Sequence, residues 1–177
     1  MVNPGTAPSL VLVGPPGAGK STVGALLAVD LGLPRLDTDD LVVERAGASI
    51  AEVFVDEGEE AFRAHERVAV VAALARGPAV VALGGGAVLD ERTRADLAGH
   101  RVVFLDVALR DAARRAGFDQ GRPLLALNPR GRWTILMNER RPVYEALASW
   151  RIDTGGRTAR EVADEVLDLV RADRGNR

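Results

Sequence analysis

The stretch that most constrains this chain is GPPGAGKST, Gly14 to Thr22. It keeps the G-x-x-x-x-G-K-S spacing of a loop that wraps phosphate groups. It follows the apolar run SLVLVG and leads into the helical pattern VGALLAVDLG. A strand, a glycine loop and a helix in that order form the first unit of a parallel α/β sheet. Gly14, Gly17 and Gly19 let the backbone turn tightly and bring its N–H groups close to an anion at the helix N-terminus. Lys20 is the only lysine among 23 basic residues, and it falls inside the motif. It is a point charge for β- and γ-phosphate oxygens, and the Ser21 hydroxyl is a ligand for Mg²⁺. The motif specifies a nucleoside triphosphate and says nothing of what accepts the phosphoryl group.

The rest of the 177 residues repeats the strand–helix alternation. Strand candidates are 9–14, 34–39, 78–86, 100–107 and 149–154. Helical patterns lie near 20–32, 59–75, 92–98, 109–116, 132–148 and 158–172. The last is the clearest: Thr158 and Glu161 read as a capping box, and Val162, Val166, Leu169 and Val170 fall at helical spacing. The alternation predicts one parallel sheet covered on both faces, in a single domain over 1–177 with frayed ends at 1–8 and 173–177. In such sheets ligands gather beyond the carboxyl ends of the strands. GPPGAGKS, DTD and GGG all follow strands, so they are expected to meet at one edge.

Composition narrows the function classes. The chain has no cysteine, which removes disulfides, thiolate metal sites and a cysteine nucleophile. Two scattered histidines do not make a metal site. A net charge of −2 and a sparse aromatic set argue against a nucleic-acid partner. No apolar run is long enough to span a membrane, and MVNPGTAPSL lacks the pattern of a secretory signal. A cytoplasmic monomer is expected.

Four further clusters bear on the acceptor. LDTDDLV places Asp37 at a strand end, where it can support Mg²⁺, and Asp39 two residues on, where it can meet an acceptor hydroxyl. The same acids also suit helix capping, the plainer role for Asp40. LGGGAV exposes backbone donors at Gly84, Gly85 and Gly86. Arg63 adjoins Phe62, with Phe54 upstream; it can clamp a carboxylate or simply pair with glutamates on its own helix. DQGRPLL, with Arg122, can close over the triphosphate, while NERRPVYEAL and DTGGRTARE offer arginines near a proline-bearing helix and a glycine-rich turn.

Together and in this order, these motifs resemble the shikimate kinases, from about Leu10 to Glu161. The carriers are GPPGAGKST, LDTD, Phe54 with Phe62–Arg63, LGGGAV, GRPLL, RRPVY and DTGGRTARE, in an actinobacterial-type, arginine-rich version. The resemblance implies a phosphate-loop fold like that of nucleoside monophosphate kinases. That fold is a five-stranded parallel sheet in the order 2-3-1-4-5, flanked by helices, with an acceptor-binding region at about 37–65 and a lid at about 117–129. It implies transfer of the ATP γ-phosphoryl group to the 3-hydroxyl of shikimate, a step toward chorismate and the aromatic amino acids, with Mg²⁺ required.

The resemblance also implies residue roles. Asp39, Lys20 and Arg122 would be catalytic. Gly17, Ala18, Gly19, Lys20, Ser21, Thr22, Arg115, Arg122 and Arg157 would bind ATP, with Arg115 and Arg157 against the adenine. Asp39, Arg63, Gly84, Gly85, Gly86, Arg140, Phe54 and Phe62 would bind shikimate. Arg140 is preferred to Arg141 as the second carboxylate clamp from its offset to Pro142 and Tyr144. Ser21 and, through water, Asp37 would hold Mg²⁺. Two alternatives stand beside this reading: another carboxylate-polyol kinase such as gluconate kinase, and a non-catalytic ATP-binding regulator.

Overall fold

The computed structural model describes residues 8–116 and 128–175. Its centre is the five-stranded parallel sheet β2-β3-β1-β4-β5. The strands are β1 (Leu10–Val13), β2 (Arg35–Asp37), β3 (Val80–Ala82), β4 (Arg101–Asp106) and β5 (Trp150–Asp153). This is the predicted strand order. Central β1 reads LVLV and is buried throughout, because helices cover both faces of a parallel sheet. Val11 stands opposite Val81 on one side and Val102 on the other.

The helices are α1 (Lys20–Leu31), α2 (Thr38–Ala46), α3 (Ile50–Asp56), α4 (Gly58–Ala75), α5 (Glu91–Asp96), α6 (Leu109–Ala116), α7 (Pro129–Leu147) and α8 (Ala159–Gly175), with a 3-10 turn at Ala87–Leu89. The expected capping box opens α8: Thr158 N donates to the Glu161 carboxylate at 2.8 Å, and Glu161 N to Thr158 Oγ1 at 3.2 Å. The continuous core runs from the sheet outward and takes in Trp133, Met137 and Tyr144 of α7. A second, smaller cluster of Val42, Val53, Phe62 and Ala69 joins α2, α3 and α4.

Two helices, α2 and α3, are not among those the sequence pattern predicts. Both are short, and each buries a single apolar side chain, Val42 and Val53, so neither shows a sustained apolar stripe. Local capping starts them instead. Asp37 accepts from Asp39 N at 3.1 Å at the head of α2. Ser49 and Glu52 form a complete capping box at the head of α3. That S-x-x-E signature was legible in SIAE's surroundings and is the signal that finds α3. The helix expected near 132–148 begins earlier, at Pro129, because Asn128 caps it and proline suits the first turn. It continues through Pro142 to Leu147.

Candidate active site

The phosphate loop lies between the end of β1 and the first turn of α1. Gly17 sits at φ +83, and a β-carbon there would come within 2.7 Å of the Ala112 carbonyl oxygen, so the close seat of the loop on α6 requires glycine. Lys20 folds back, its Nζ donating to the carbonyls of Gly14 at 2.8 Å and Pro15 at 3.1 Å. Burial lowers its pKa to about 8, against the pull of Asp39 and Asp37. A cleft of about 520 Å³ opens over the loop, lined by Gly17, Ala18, Gly19, Lys20, Ser21 and Thr22 together with Asp39, Arg115, Thr154 and Arg157.

The acidic run crosses the mouth of this cleft. Ser21 Oγ donates to Asp37 Oδ2 at 2.7 Å. Asp40 points away, in an exposed ion pair with Arg35 at 3.2 Å. Asp39 is held beside Lys20 and the glycine run. Burial raises its pKa to about 6; Asp37 and Glu66 add to the rise, and Lys20 opposes it.

The glycine run 84–86 lies against Asp39. A β-carbon on Gly84 would lie 2.6 Å from Asp39 Oδ1 and 2.9 Å from Glu66 Oε1. On Gly85 it would touch Arg140 Nη1 at 3.4 Å, and on Gly86 it would run into the Arg63 guanidinium. Asp39, Arg63, Gly84, Gly85, Gly86 and Arg140 therefore meet in one place, at the carboxyl ends of β2 and β3. Arg63 also pairs with Glu66 at 2.7 Å and Glu59 at 3.2 Å, the helix pairing expected of it. Its guanidinium lies 5.2 Å from the Phe62 ring centroid, and Phe62 packs on Phe54 at 4.4 Å. Arg140 is buried, and its Nε has no hydrogen-bond partner among the described residues. Neighbouring Arg141 is engaged elsewhere, in a two-pronged pair with Asp106 at 2.7 and 2.8 Å. The arrangement offers two guanidiniums, the Asp39 carboxylate and, among the described residues, the unpaired N–H groups of Gly85 and Gly86 beside a phosphate loop. That set suits a small anionic polyol facing a triphosphate.

The family model for shikimate kinase matches residues 16–171. A shikimate kinase of Thermobifida fusca is 55% identical over 89% of this chain and 91% of its own. One from Streptomyces avermitilis is 55% identical over 93% of this chain and 96% of its own. Among solved structures, shikimate kinase from Acinetobacter baumannii in complex with shikimate superposes with a TM-score of 0.89 at 37% identity, covering 95% of each chain. The chain belongs to the shikimate kinase family.

Arg115 and Arg157, expected on the nucleotide side, are tied to the β5–α8 turn. Arg115 Nη1 donates to Thr154 Oγ1 at 2.9 Å and its Nη2 to the Thr154 carbonyl at 2.5 Å. Arg157 donates to the Asp153 carbonyl at 3.0 Å and pairs with Glu165 at 2.6 Å. Arg122 lies outside the described residues. Three residues outside the expected set support the site. Thr38 Oγ1 accepts from Gly84 N at 2.8 Å, Tyr144 donates to the Gly85 carbonyl at 2.6 Å, and Trp133 Nε1 donates to the Pro16 carbonyl at 3.2 Å. Glu66 anchors Arg63. Only Glu66 carried a signal, its three-residue spacing from Arg63 on a helix. The other three act across long stretches of chain.

Proposed function

We propose that this chain transfers the γ-phosphoryl group of ATP to the 3-hydroxyl of shikimate, giving shikimate 3-phosphate and ADP. Membership of the family supports the reaction. The observation that carries the residue roles is the meeting of Asp39, Arg63, Arg140 and the glycine run beside Lys20.

Arg63 and Arg140 hold the shikimate carboxylate, and the partnerless Nε of buried Arg140 fits an arginine awaiting an anion. Phe54 and Phe62 stiffen the Arg63 side. Gly84, Gly85 and Gly86 give the ring hydroxyls a backbone surface. Asp39 accepts the proton of the attacking hydroxyl; its pKa of about 6 leaves it ionised yet basic near neutrality. Gly17 to Thr22 wrap the phosphates and Lys20 offsets charge on the transferred group. Arg115 and Arg157 flank the adenine, and Arg122 completes the charge clamp.

Ser21 and Asp37 supply a hydroxyl and a carboxylate, hard oxygen donors of the kind Mg²⁺ takes alongside water and phosphate. Mg²⁺, when bound with ATP, screens the phosphate oxygens and raises the electrophilicity of the γ-phosphorus. We take the working protein to be a monomer, and the ATP requirement supports the cytoplasm.

The test is ADP release from Mg-ATP with shikimate, gluconate, a nucleoside monophosphate panel and no acceptor. Release that depends on shikimate alone is expected. Release with gluconate or a nucleotide instead would keep the phosphate loop and discard the acceptor-side roles. ATP binding without stimulation by any acceptor would favour a regulator.

A further inference from the structure

The acceptor wall is held from behind by one side chain. Tyr144 is fully buried, and its hydroxyl donates to the Gly85 carbonyl at 2.6 Å. Its ring stacks on Phe104 of β4 with centroids 5.1 Å apart. The side chain is therefore fixed to the sheet through its ring and to the glycine run through its hydroxyl, with Arg140 beside that hydroxyl. Burial pushes its pKa up to about 12, so it remains a donor across the working pH range.

Fixing the Gly85 carbonyl fixes more than an oxygen. The Gly85–Gly86 peptide is trans and planar, so its N–H, belonging to Gly86, points opposite to its C=O. The Gly86 N–H is thereby turned away from Tyr144. It has no hydrogen-bond partner among the described residues, whereas Gly84 N is taken by Thr38 and Ala87 N by the Gly84 carbonyl. Arg140 stands against Gly85 and Arg63 against Gly86, so this peptide lies between the two guanidiniums. Without Tyr144 a glycine pair would be free to rotate that peptide unit.

We infer that Tyr144 is a positioning residue for the acceptor: by holding the Gly85 carbonyl, it aims the Gly86 N–H at the anionic group seated between Arg63 and Arg140. This rests on the acceptor site proposed above. The interaction is made in both ground and transition states, so its loss acts on KM rather than kcat. Tyr144 sits one helical turn from Arg140 on α7, so a single helix presents the guanidinium and orients the backbone donor beside it.

The experiment uses two proteins. In Tyr144→Phe, the KM for shikimate is expected to rise about 10-fold, with kcat and the KM for ATP within about 3-fold, the value of one hydrogen bond to a charged group. Tyr144 is the only tyrosine, so growth on 3-fluorotyrosine labels this position alone. The ¹⁹F resonance is expected to move on saturation with shikimate, at concentrations matching its KM. A fall in thermal stability with an unchanged shikimate KM would overturn the inference, as would equal rises in both KM values. Should the phenylalanine variant fail to fold, the ¹⁹F titration decides: a saturable shift supports the role and a static resonance refutes it. A wild-type protein without shikimate-dependent ADP release overturns the proposed function and this inference together. A shikimate-dependent wild type with an unshifted variant overturns this inference alone.

Discussion

The Ser21 hydroxyl donates to Asp37 Oδ2 at 2.7 Å, joining the first turn of α1 to the end of β2. The other oxygen of the same carboxylate accepts from Asp39 N at 3.1 Å and caps α2. One buried side chain thus touches the phosphate-loop helix and sets the start of the helix that carries Asp39. Capping uses only one of its oxygens and leaves the other facing Ser21.

Asp37→Asn separates the two. Asparagine caps helices as well as aspartate, so thermal stability should stay close to wild type. The lost charge should weaken divalent-metal binding by about 10–100-fold, as outer-shell changes do. A Mn²⁺ titration followed by electron paramagnetic resonance in the presence of ADP reads this directly. Unaltered Mn²⁺ affinity would remove Asp37 from the metal's surroundings.

Asp39 and Lys20 define a pH window. With Asp39 near 6 and Lys20 near 8, kcat/KM for shikimate should fall as acid protonates the first and as alkali discharges the second. Asp39→Asn should lower turnover by at least about 10²-fold while leaving ATP binding intact. The same shift has a stability consequence. Because the folded state raises the Asp39 pKa from 3.8 to about 6, it binds that proton more tightly than the unfolded chain does. Stability is therefore lost as pH rises from about 4 to about 6, on the order of 2–3 kcal/mol. At pH 7.5 the asparagine variant should melt higher than wild type, by about 5 °C. A lower melting temperature would mean that the Asp39 charge is compensated in the fold.

Arg140 and Arg141 should behave differently although they are adjacent. Burial works against the Asp106 carboxylate, yet hydrogen bonds from Arg141 and Arg151 hold its pKa below the ordinary value. Removing Arg141 strips that carboxylate of a two-pronged partner. Arg141→Ala should cost about 1–3 kcal/mol in stability and leave the shikimate KM within about 2-fold. Arg140→Ala should raise that KM by about 10–100-fold with little change in melting temperature. An exchanged pattern in steady-state kinetics and thermal melts would move the carboxylate clamp by one position.

Much of this was legible in the chain because the relevant signals are local. The βα unit around GPPGAGKST and the run LGGG depend on neighbours in sequence, whereas the strand order, which sets Leu10 beside Val80 and Arg101, came only with the family resemblance. The pairing of Arg63 with Glu66 follows from helical spacing. What escaped the reading acts across the fold. Tyr144 reaches Gly85 from 59 residues away, and Trp133 reaches Pro16 from 117. Nothing near either aromatic residue announces its partner, and both read as ordinary core positions on α7. Helices α2 and α3 escaped for a different reason: their caps are strong and their apolar faces are too brief to show periodicity.

Gly84 gives the sharpest test of how the acceptor wall is built. Its backbone is not in the left-handed region, so alanine meets no conformational strain there. The obstacle is space: the new methyl would lie 2.6 Å from Asp39 Oδ1 and 2.9 Å from Glu66 Oε1. Both carboxylates must move, and Glu66 carries Arg63 with it through their 2.7 Å pair. A displacement near 1 Å at a proton acceptor costs about 10²-fold. Gly84→Ala should therefore lose about that factor in kcat/KM for shikimate while ATP affinity and the circular dichroism spectrum hold. Gly17→Ala is the counterpart: positive φ and the Ala112 backbone 2.7 Å away should make it lose ATP affinity first. Parallel calorimetric titrations of ATP and shikimate into the two variants check the contrast. Equal loss of both ligands in Gly84→Ala would show that the wall supports the whole cleft rather than the acceptor alone.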